Sequence, residues 1–146
     1  PACKQLHLTT MKLLLQQYGN VASFSFRHFP LTSHPYAVQA GMAAECAADQ
    51  GKFWAFTDIA FEHQAEMHPS IFKEWAEMLE LDTELFQRCT KSQIKKDIVL
   101  QDFNKARELG LSGAPTVYIN GEKVVHSYEA LSGAIEEAIQ GFAQRL

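Results

Sequence analysis

Apolar positions change period along the chain, and each change marks a change of element. Through CKQLHLTTMKLLLQQYGN, the residues Leu6, Met11, Leu14, Leu15 and Tyr18 recur near helical spacing and stop at Gly19-Asn20. This predicts a helix over residues 2–18 with Pro1 pre-set at its start. The following VASFSFRHFP alternates, with Phe24, Phe26 and His28 on one face and Val21, Ser23, Ser25, Arg27 and Phe29 on the other. Residues 21–29 are therefore expected to form a strand that ends at Pro30.

Beyond His34 the pattern turns helical and stays so. Pro35 opens a helix expected to reach about Asp49, with Gly51 closing it, and Phe53, Phe56 and Ala60 begin the stripe of the next. Pro69 and Ser70 punctuate before IFKEWAEMLEL; Asp82 is placed to cap a short helix carrying Leu85, Phe86 and Cys89. Thr90 and Gln93 have capping-box spacing, and the last helix of the series ends at Gly110. Then Val117-Tyr118-Ile119 and Lys123-Val124-Val125 flank Asn120-Gly121, a strong hairpin signal. Leu131, Ile135, Ala138, Ile139 and Phe142 mark one face of a final helix that Ser127 is placed to cap. No repeat or low-complexity linker separates these blocks. The reading is a single domain over 1–146, with 1–30 and 111–146 as its core and 31–110 as a helical insertion.

Composition narrows the function classes. The 146 residues are 47% hydrophobic and 11% aromatic, enough for an ordinary globular core. A net charge of −4 with no basic run offers no footprint for nucleic acid and no polybasic membrane patch. No apolar stretch approaches the roughly 18 residues of a spanning helix, and no signal segment is recognisable in the sequence. Cys3, Cys46 and Cys89 are an odd number at spacings that match no zinc motif, so parity points to a missing partner.

With a strand placed before Pro1, the order becomes strand, helix, strand, helical insertion, strand, strand, helix. FRHFPLTSHPYAVQAGMAAECAADQGKFWAF, SGAPTVYINGEKV and PACKQLH together resemble the DsbA-like branch of the thioredoxin superfamily over essentially the whole chain. The resemblance implies an α/β, thioredoxin-like fold with an inserted helical block and its first strand missing. Family members carry Cys-Pro-x-Cys at the start of the first helix, and Pro1, Ala2 and Cys3 match its last three positions. The nucleophilic cysteine is then expected immediately before Pro1, with Cys3 as the resolving cysteine. By the same resemblance Pro115 is the cis-proline facing the active site, and Ala114 offers its backbone to an extended substrate. The missing strand belongs between residues 21–29 and 116–120, so those two segments are not expected to pair directly; residues outside this sequence, a swapped neighbouring chain or a bound upstream fragment would fill the place.

The chemistry follows from the motif. A helix N-terminus stabilises a thiolate through unpaired N–H groups and the helix dipole. Two intervening residues put both sulfurs on one turn, and Pro1 fixes the backbone between them. A mixed disulfide on the outer cysteine is then resolved by Cys3. The implied protein oxidises or reduces cysteine-containing polypeptides in an exported compartment with a redox partner protein, without metal or dissociable cofactor. Two other readings stand beside it: a glutathione-dependent kappa-type transferase or isomerase relative, which has serine at the helix start, and a redox-inert thioredoxin-like module that binds peptides.

Other residues read structurally. Cys46 and Cys89 are expected to be buried small hydrophobes, with a bridge between them as the alternative suggested by exported relatives that carry a second disulfide. Cys3 and His7 share a helix face, but no second ligand pair supports a metal. Phe53, Trp54, Phe56 and Phe61 are expected in the core, a peptide-binding groove being the alternative. His28, His34, His63, His68 and His126 are scattered and read as structural or surface histidines.

Overall fold

Leu6 and Met11 lie five residues apart, one more than the α-helical repeat brings to one face. The computed structural model, which describes residues 1–145, meets this with a π-helical segment. Helix α1 (Ala2–Gln5) runs through the π segment Leu6–Met11 into α2 (Lys12–Tyr18). A π turn bonds i to i+5, which aligns Leu6 and Met11 with Leu14 and Tyr18 against one core. Leu15, expected on that face, is instead 37% exposed, one position along α2 from the buried Leu14.

Residues 21–28 keep the period-2 burial of a strand: Ala22, Phe24, Phe26 and His28 are inward and Val21, Ser23, Ser25 and Arg27 outward, whereas Phe29, expected outward, is half-buried with its ring 5.2 Å from that of Phe103. They enter no β-ladder, which corrects the strand expected there. Alternation sets the faces of a segment, but a ladder also needs a neighbouring strand.

Helices α3 (Ala37–Ala48), α4 (Phe53–Glu62), α5 (Phe72–Met78), α6 (Thr83–Ser92) and α7 (Lys96–Glu108) follow. Short 3-10 turns at Gln64–Glu66 and Pro69–Ile71 lie between α4 and α5, and strands β1 (Val117–Ile119) and β2 (Glu122–Val124) and helix α8 (Tyr128–Ala143) complete the described elements. By contacts the chain divides into two compact units, Pro1–Phe26 with Gly113–Leu146, and Arg27–Ser112. Leu146, the last residue of the expected 111–146 segment, lies outside the described residues.

In the first unit, β1 and β2 pair antiparallel in the register Val117↔Val124 and Ile119↔Glu122. Asn120 at φ 49 and Gly121 at φ 90 supply the left-handed pair that a two-residue hairpin requires. Among the described residues β1 bonds to β2 alone, and residues 21–29 and 116–120 do not pair directly. Leu14, Tyr18, Leu131 and Ile135 form the buried core, with Val117, Ile119 and Val124 packed on it. Ser127 caps α8 by accepting from the Ala130 N–H. Only the first turns of α8 are covered; Ile139 and Phe142, expected on the core face, are 37% and 60% exposed.

The second unit is built around Phe56, which is fully buried and meets Phe72, Trp75 and Phe86 with ring centroids 6.1, 5.8 and 5.6 Å away. Phe53 packs beside this cluster, whereas Trp54, expected in the core, points 40% outward one position along α4. Asp82 caps α6 by accepting from the Glu84 and Leu85 N–H groups. Thr90 and Gln93 form no capping box: Thr90 lies inside α6, and Gln93, at φ 55, ends it. Cys46 and Cys89 are bridged, which corrects their reading as separate buried thiols. The bridge joins α3 to α6 across 43 residues, and closing such a loop in the unfolded chain stabilises the fold by about 4 kcal/mol.

Candidate active site

Cys3 sits in the first turn of α1, whose start is closed by the Gln5 N–H donating to the Pro1 carbonyl at 2.9 Å. Pro1 and Ala2 are exposed, and Cys3 is half-buried and unbridged. Burial pushes the Cys3 thiol above its ordinary value, and a backbone hydrogen bond opposes that shift without cancelling it. The thiol therefore stays protonated through neutral pH, and the nucleophilic thiolate is a minor form. His7, one turn on, is buried in the π segment. Among the described residues, no cluster of three His, Cys, Asp or Glu side chains is placed to hold a metal ion.

The loop before β1 carries the other residues expected at the site. The Ala114–Pro115 peptide is cis, and both residues are half-buried. Thr116 Oγ1 donates to the Gly113 carbonyl at 3.0 Å, closing the loop across these two residues. Thr116 was missed by sequence reasoning; a hydroxyl directly before a strand was the available signal. The Ala114 N–H and C=O have no partner among the described residues. Cys3 and the Ala114–Pro115 loop belong to the same compact unit.

A second polar cluster lies in the other unit and had no sequence signal beyond the inward register of His28. His28 is 6% exposed; its Nε2 lies 2.8 Å from Glu45 Oε1, and its backbone N–H donates to Asp102 Oδ2 at 2.9 Å. Arg27 reaches the same carboxylate at 3.2 Å. Gly41, one turn before Glu45, lets the ring approach α3: a Cβ there would stand 3.0 Å from His28 Nδ1 and 3.1 Å from Val99 Cγ2.

Comparison with known proteins adds a family context. A family model described as Thioredoxin matches residues 1–137. Na(+)/H(+) antiporter NhaA 1 of Salinispora arenicola is 37% identical over 144 residues, covering 97% of this chain and 22% of the antiporter. Na(+)/H(+) antiporter NhaA 3 of Salinispora tropica is 38% identical over 141 residues, covering 94% and 21%. A probable disulfide bond formation protein D of Bacillus anthracis is 28% identical over 153 residues, covering 96% of this chain and 69% of the relative. The chain thus spans about a fifth of the length of the two antiporters. No helix among its described residues is long and apolar enough to cross a membrane.

Proposed function

The chain belongs to the thioredoxin family, on its DsbA-like side, and from that premise we propose that it is a thiol–disulfide oxidoreductase for cysteine-containing polypeptides. Cys3 is the resolving cysteine of a Cys-Pro-Ala-Cys site in which Pro1 and Ala2 are the intervening pair. Ala114 and Pro115 form the loop against which the substrate lies. The observation that carries this reading is the presence in one compact unit of an unbridged, half-buried Cys3 in the first turn of a helix and the unpaired backbone of Ala114.

The exchange balances with these groups alone. A thiolate on the outer cysteine attacks a substrate disulfide, forming a mixed disulfide and releasing one substrate thiolate. Cys3 gives up its proton and attacks the outer sulfur; the second substrate thiolate leaves, and the site holds the new disulfide. Run backwards, the same steps oxidise a substrate dithiol. The raised position of the Cys3 thiol suits a group that reacts only once a mixed disulfide is beside it. The Cys46–Cys89 bridge supports an exported, oxidising compartment, where such bonds persist.

The small share of the antiporters that is matched favours a second reading, a redox-inert module that binds partners within a longer polypeptide. The residue before Pro1 separates the two. A chain carrying cysteine there is expected to oxidise a dithiol peptide, and the same chain carrying serine is expected to do so no faster than buffer. Equal rates from both would refute the assignment. Glutathione conjugation by the serine form would instead support the kappa-type relative.

A further inference from the structure

The Cys46–Cys89 disulfide is not sealed inside the helical unit. It lines an open groove of about 390 Å³ between the end of α3 and the outer face of α6, within the range of small-ligand sites. The two residues differ in access: Cys46 is 1% exposed, whereas Cys89 is only half-buried. A thiolate entering the groove therefore meets Cys89 first.

The groove also has a charge preference. Of its polar lining, Asp49 is neutralised by Lys95 at 2.6 Å. Gln50 is engaged at both ends by the Asp82 backbone, at 2.8 and 3.2 Å. Arg88 is exposed and has no ion pair among the described residues. Leu85 and Ile94, 48% and 70% exposed, complete an apolar wall beside it. A half-accessible disulfide, one uncommitted cation and an apolar wall suit a small thiol that carries a carboxylate.

We propose that this groove is a second thiol–disulfide exchange site, separate from Cys3, which takes an anionic low-molecular-mass thiol of about tripeptide size. The carboxylate pairs with Arg88, and the thiolate attacks the Cys89 sulfur. The Cys46–Cys89 bond breaks, a bond from Cys89 to the incoming sulfur forms, and Cys46 leaves as a thiolate that takes a proton from water. A second molecule of the thiol attacks the sulfur already bound to Cys89. It departs as the small-molecule disulfide, leaving Cys46 and Cys89 as two thiols and two electrons in the protein.

The test uses the chain with Cys3→Ser and with serine at any cysteine preceding Pro1, so that Cys46 and Cys89 are the half-cystines left to react, and reduced glutathione as the probe. Rapid acid quenching, alkylation and peptide mass analysis are expected to find glutathione on Cys89 and the alkylating label on Cys46. Arg88→Glu is expected to slow formation of this adduct about fivefold, as reversal of one exposed pairing charge implies. The rate with neutral 2-mercaptoethanol should change less than twofold. In the unaltered Arg88 chain, added salt should slow the glutathione reaction alone, a readout that needs no groove substitution. A disulfide that stays intact in the folded chain while the urea-unfolded chain is readily reduced would overturn the proposal. So would glutathione found on Cys46, or equal effects of Arg88→Glu and salt on the charged and neutral thiols.

Discussion

Tyr18 donates its phenolic hydrogen to Glu136 Oε1 at 2.6 Å, tying the end of α2 to α8 across 118 positions of sequence. The bond holds the phenol in its neutral form: the Glu136 acceptor, with burial second, pushes the Tyr18 hydroxyl up to about 12 from 10.0. Ultraviolet difference titration against Tyr18→Phe is expected to place its midpoint there, and Glu136→Gln to bring it back toward 10.0. Because the folded value lies above the unfolded one, the stabilisation is whole below the unfolded value of about 10 and lost as pH rises through about 12. A midpoint insensitive to Glu136→Gln would remove this tie from the account.

Gly41→Ala sets two effects against each other. Alanine favours a helix interior over glycine by about 1 kcal/mol. Its Cβ would press on His28 Nδ1 and Val99 Cγ2 at 3.0 and 3.1 Å, and such overpacking costs about 1–3 kcal/mol. His28 is held by Glu45 and Asp102 and yields little. Urea denaturation is expected to show a net loss of about 1 kcal/mol, reduced when His28→Ala is also present. An additive double-mutant cycle would show that the ring is not what α3 accommodates.

Cys3 is expected to react with iodoacetamide more slowly in the folded chain than in the urea-unfolded one at neutral pH. Burial raises its thiol, so a smaller fraction is thiolate, and the rise of rate with pH should be displaced upward in the folded chain. Coincident pH profiles would mean that burial does not govern this sulfur.

These outcomes show which parts of the molecule a sequence carries locally. Asn120-Gly121 specifies its hairpin because φ above zero is a property of those residue types, and Asp82 and Ser127 cap their helices through neighbours two or three positions away. Leu6 and Met11 also announced a shared face, but their spacing of five is legible only once a π turn is admitted. Residues 21–29 display the alternation of a strand, yet pairing depends on a neighbour that the pattern cannot supply. The Cys46–Cys89 bridge and the His28–Glu45 contact depend on how α3 meets other elements, which no local spacing encodes. Cys3, Ala114 and Pro115 were identified by family resemblance, whereas Thr116, which closes the loop, emerged only from its contact with Gly113.

The most direct test of the central claim is single-turnover reaction of a dithiol peptide and its disulfide with a chain carrying cysteine immediately before Pro1, with and without Cys3→Ala. With Cys3 present, the peptide disulfide is expected to be reduced to free thiols and the dithiol oxidised by the disulfide form, with no lasting adduct. With Cys3→Ala, oxidation should fall to the buffer rate, and the peptide should remain covalently attached to the upstream cysteine as a mixed disulfide. Unchanged turnover by the Cys3→Ala chain, with no trapped peptide, would contradict the assignment of Cys3 as the resolving thiol.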